Sequence, residues 1–118
     1  MDGGPQDTDP VLEDWLTETW GCIGGERSTS SPLHALVRCI AIADHSMRNA
    51  GDLDMAEDMG EGFIQVAFEA ARRLGLPLSA AAFGATREEL QVSWFGVFDA
   101  VVAEVRRAWT STSPDMVG

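Results

Sequence analysis

Apolar residues recur every three or four positions through most of this chain, the period of a helix with one buried face, and no segment alternates as a strand would. The first stripe is Val11, Leu12, Trp15, Leu16 and Thr19, with Glu13, Asp14 and Glu18 opposite. Asp9-Pro10 reads as an N-cap followed by a first-turn proline, and Gly21 as a stop, so a helix is predicted over about 10–20. Ser31-Pro32 repeats the start signal before Leu33, Leu36, Val37, Ile40, Ala43 and Met47, giving a second helix over about 32–49 that ends at Gly51.

The third stripe, Met55, Met59, Phe63, Val66, Ala67, Ala70 and Leu74, predicts one long helix over about 53–74 after an Asp52 cap. Its other side carries Asp54, Asp58, Glu61 and Gln65. Acids crowd its start, Arg72 and Arg73 its end, and Gly75 follows, an arrangement that suits the helix dipole. Glu69 and Arg73 have the spacing of a favourable ion pair. The short link between the second and third helices implies an antiparallel hairpin. Pro77 breaks the chain, and residues 78–83 suit a short helical turn. Thr86-Arg87-Glu88-Glu89 is a capping box. The helix it opens, about 87–110, repeats Leu90, Trp94, Val97, Phe98, Val101, Val105, Ala108 and Trp109, with Phe95 and Val102 widening the stripe, so it is expected to be the central one.

The expected fold is therefore all-α: a compact bundle of four main helices with a short helical turn near 78–83. At 118 residues there is material for a single helical domain, 1–118, with loose termini at about 1–8 and 111–118. A polar, Gly-rich loop is expected over 21–30.

Charge changes this picture. The net charge of -11 is concentrated: residues 1–27 carry seven acids and one base, and residues 52–71 carry six acids and no base. Such density attracts basic partners and opposes phosphate binding. The acidic stripes of the first and third helices thus supply the candidate partner-binding residues Glu13, Asp14, Glu18, Asp54, Asp58 and Glu61. The expected partner is a basic protein, with no direct nucleic acid and no membrane, since no apolar run is long enough to span one.

The chemistry-bearing residues are sparse. Cys22 and Cys39 make no disulfide framework, and the N-terminal segment has no apolar signal region, so reduced thiols and a cytoplasmic location are expected. No His stands three residues after a Glu, and neither His34 with His45 nor the two cysteines has zinc-ligand spacing, so no metal or cofactor is expected. No phosphate loop, dinucleotide fingerprint or nucleophile elbow occurs, and the chain is not expected to be an enzyme. Ala71 and Gly75 have the spacing seen in helix-turn-helix segments, but Ser79–Gly84 would have to read bases and offers almost no side chains for it. Trp94-Phe95-Gly96 lies inside a periodic helix, where Gly96 is expected to admit another helix closely.

These features favour a small acidic protein-binding module that neutralises a basic or nucleic-acid-handling partner, in the manner of an immunity protein, an antitoxin or a phage-type inhibitor. The alternatives are a structural protein forming a homodimer or larger complex, and a helical bundle that binds a small molecule or metal.

Overall fold

The computed structural model describes residues 8–23 and 31–112. They form six helices: α1 Pro10–Ile23, α2 Pro32–Ala50, α3 Asp54–Met59, α4 Phe63–Leu74, α5 Pro77–Phe83 and α6 Arg87–Thr112. The start signals act as read. Asp9 Oδ1 accepts from the Val11 amide at 2.9 Å, and Ser31 Oγ accepts from the His34 amide at 3.3 Å. In the capping box the Thr86 amide donates to Glu89 Oε1 at 3.0 Å while the Glu89 amide donates to Thr86 Oγ1 at 3.1 Å.

Three expectations are corrected. The long helix over 53–74 is two helices, α3 and α4, separated by Gly60-Glu61-Gly62. Gly62 has φ +73°, the left-handed region where a side chain is strained, so the helix cannot run through it. Gly60 packs so near α2 that an added Cβ would lie 2.9 Å from Ile42 Cδ1. The break turns Met59 (37% exposed) and Val66 (45% exposed) out of the core to which periodicity assigned them. Second, Gly21 does not stop α1, which continues to Ile23; residues 24–30 of the expected loop lie outside the described residues. Third, α2 is the hub: it packs against α1, α3, α4 and α6, and ten of its nineteen residues are buried. Of the expected loose termini, Thr8 is buried and α6 reaches Thr112, while residues 1–7 and 113–118 lie outside the described residues.

The hairpin expectation holds in altered form. Arg38 donates to the Met59 carbonyl at 3.3 Å, and Ser31 and Pro32 lie across from Glu69, Ala70 and Arg73, so α2 and α4 are antiparallel. α2 is antiparallel to α6 as well, because Asp44 meets Trp94 while His34 stacks on Trp109. Hence α4 and α6 point the same way. Arg72 and Arg73 lie in the last turn of α4, and Arg106 and Arg107 in the last third of α6.

Two buried polar junctions lock the helices together. Trp94, fully buried, donates through Nε1 to Asp44 Oδ1 at 3.0 Å, and Arg48 Nε donates to Asp44 Oδ2 at 2.8 Å. The Arg48 guanidinium lies over the Phe95 and Phe98 rings at 5.2 and 5.3 Å. It also donates to Thr8 Oγ1 at 2.7 Å and lies 3.6 Å from Glu13. One arginine thereby ties α1 and α6 to α2. At the second junction Glu104, only 7% exposed, accepts from the Leu78 and Ser79 amides at 3.0 and 2.8 Å and from Ser79 Oγ at 2.8 Å. These are first-turn donors of α5, which a helix leaves without internal partners. A side chain from α6 is thus the cap of α5.

Candidate partner-binding surface

The six acids proposed for binding do not share one surface role. Glu13 turns inward, bonded to Thr8 and paired with Arg48. Asp54 pairs with Arg87 and so joins α3 to the start of α6. Asp14 and Glu18, one helical turn apart, stand exposed on the crest of α1. Asp58 is exposed on α3 and Glu61 on the turn that follows it. Because the helix breaks at Gly60, Asp54, Asp58, Glu61 and Gln65 do not form one straight stripe.

The two exposed acidic groups flank the same strip of α2. On one side Leu16, Thr17 and Trp20 of α1 pack against Ala41, Asp44 and His45, enclosing a shallow cleft of about 200 Å³. On the other, Met59 and Gly60 pack against Arg38 and Ile42. His45 and Asn49 are exposed between them, and Trp20 lies 6.1 Å from the His45 ring. Each acidic group also has an exposed apolar neighbour: Val11 (57% exposed) shares the outer face of α1, and Met59 adjoins Asp58.

Three of the described arginines are engaged elsewhere. Arg38 holds the end of α3, Arg48 the Asp44–Glu13 junction, and Arg87 holds Asp54. Among the described residues no cation lies within ion-pair distance of Asp14, Glu18, Asp58 or Glu61. Glu69 bonds to Gln65 at 2.8 Å, rather than to the Arg73 that its spacing suggested.

Other candidate chemistry is accounted for structurally. Cys39 is buried, and desolvation raises its thiol pKa to about 12, only partly offset by Arg38, so it stays an unreactive thiol; Cys22 is exposed. His34, Trp109 and Trp15 form an aromatic stack joining α2, α6 and α1, with centroids 5.2 and 6.2 Å apart. Gly96, expected to admit another helix of this chain, is exposed, with nothing within 4 Å of the place its Cβ would occupy. Among the described residues no group of three His, Cys, Asp or Glu side chains is placed to hold a metal, and no helix is long and apolar enough to cross a membrane.

Sequence reasoning missed Asp44, Arg48 and Glu104 as organising residues. Asp44 and Arg48 form an i,i+4 pair, but the partners that make these residues organising ones are 50, 40 and 25 residues away, and no local motif shows those. No protein-family model, curated protein or solved structure matches the chain.

Proposed function

We propose that this protein is an acidic protein-binding module whose partner presents a basic surface to the strip of α2 between α1 and α3. The observation that carries the reading is the division of the described arginines: Arg38, Arg48 and Arg87 are tied into the fold, so Asp14, Glu18, Asp58 and Glu61 face solvent with no described cation paired to them. Uncompensated surface charge costs stability by self-repulsion and returns it as long-range attraction for a cation. The acids would speed encounter, and the exposed Val11 and Met59 with the half-buried Trp20 would supply apolar contact once docked. Neutralising a basic enzyme or toxin, as an immunity protein, antitoxin or phage-type inhibitor does, is the role this chemistry suits best.

The test compares the wild-type chain with the quadruple variant Asp14→Asn, Glu18→Gln, Asp58→Asn, Glu61→Gln as bait in a low-salt pull-down. A basic protein held by the wild type, released by salt and lost with the variant is the expected result. Equal capture by both, or capture that salt does not disturb, would remove the acidic groups from the interface.

A further inference from the structure

The outer face of α6 carries exposed residues that no other described helix covers. Around the helix, Glu89, Val92, Ser93, Gly96, Ala100 and Arg107 are exposed on the side away from α2 and α5. Val92, at 89% exposed, is the most exposed large apolar side chain described. Further along the same face, Leu12, Ala103, Arg106, Arg107, Thr110 and Ser111 line an open cleft of about 340 Å³ between α1 and α6. An acidic pair, Glu88-Glu89, opens the helix, and an arginine pair, Arg106-Arg107, follows eighteen residues later. Eighteen residues is five turns, about 27 Å, so both pairs return to the same sides of the helix.

These features are related by a two-fold axis across α6 near residues 97–99. Under that operation Val92 falls on the Leu12–Ala103 cleft, and Glu88-Glu89 falls on Arg106-Arg107. Gly96 and Ala100 exchange places at the crossing, where only small side chains let two backbones approach. Among the described residues nothing needs the space at Gly96, yet glycine costs a helix interior about 1 kcal/mol relative to alanine. We infer that a second copy of this chain docks antiparallel on α6, each Val92 seated in the other copy's α1–α6 cleft and each acidic pair set against the other copy's arginine pair. The arrangement is isologous and closes at two copies. A shallow crossing of about 20° keeps both charged ends in register. The surface differs from that of the partner-binding strip, so either can stand without the other.

The test is sedimentation velocity of the full chain from about 10 μM to about 1 mM, at about 0.15 M salt to screen the net charge of the two copies. The wild type is expected to pass from monomer to dimer across this range. Val92→Gln, at a site too exposed to matter to the fold, is expected to weaken association more than about tenfold, because two apolar seats are lost per dimer. Glu88→Arg and Arg106→Glu are each expected to weaken it several-fold, and the double variant, with unchanged net charge, to recover it. Net charge alone predicts the opposite for Glu88→Arg, since it makes the chain less acidic. Circular dichroism confirms that each variant is folded. A wild type that stays monomeric throughout, a dimer indifferent to Val92→Gln, or a double variant no tighter than its parents would overturn the inference.

Discussion

Neighbouring acids on α1 have opposite fates. Glu13 points at α2 and is held by Thr8 and Arg48, whereas Asp14 and Glu18 stand on the crest with no described cation beside them. The same contrast separates Glu104, buried against the α5 amides, from Asp58 and Glu61 in solvent. The lesson is that acidity along a chain does not report charge available to a partner. What decides is whether donors from other helices reach the carboxylate, as Arg48 reaches Glu13 and the Leu78 and Ser79 amides reach Glu104.

The inner group should be fragile. Trp94→Ala is expected to cost the most, about 3–5 kcal/mol for the lost core volume and more for the abandoned Asp44 oxygen, measurable by urea denaturation. Glu104→Ala leaves two amides and a hydroxyl at the start of α5 without acceptors, and about 2–4 kcal/mol of lost stability is expected. If its transition midpoint matched the wild type, the inner acid would be dispensable and the contrast would fail. Asp44→Ala should fall between these, and should be strongly non-additive with Trp94→Phe because both remove one hydrogen bond.

The thiols sharpen the same distinction without charge. In the folded protein iodoacetamide should modify the exposed Cys22 and leave Cys39 untouched until denaturant is added, since burial holds that thiol protonated far above neutral pH. Equal labelling of both would mean that α2 is less enclosed than described. The smallest effect belongs to the solvent face of α6: Gly96→Ala should stabilise the fold by up to about 1 kcal/mol in urea denaturation, because it improves helix propensity where no described atom is in the way.

What the sequence made legible was local. The starts of α1, α2 and α6 rest on capping residues within three positions of the groups they satisfy, so Asp9, Ser31 and Thr86 could be read directly. The α3–α4 break was hidden because apolar spacing from Met55 through Phe63 continues unbroken across it; the two glycines of Gly60-Glu61-Gly62 were the available signal, and the periodicity masked it. The cap on α5 was illegible for a different reason, since Glu104 reaches Ser79 from another helix and its spacing on α6 looks like that of any surface acid. Of the six acids read as partner-binding, periodicity separated core from surface but could not show that Glu13 and Asp54 would be claimed by Arg48 and Arg87.

The central claim is that the outer acids work for a partner and the inner ones for the fold. Its most direct test is to measure thermal stability and salt-sensitive capture of a basic protein together, for the quadruple crest variant and for Glu13→Gln. The account predicts that the crest variant keeps or slightly raises its thermal midpoint while losing capture, and that Glu13→Gln lowers the midpoint while keeping capture. A crest variant that binds as the wild type does, or one that unfolds, would contradict it.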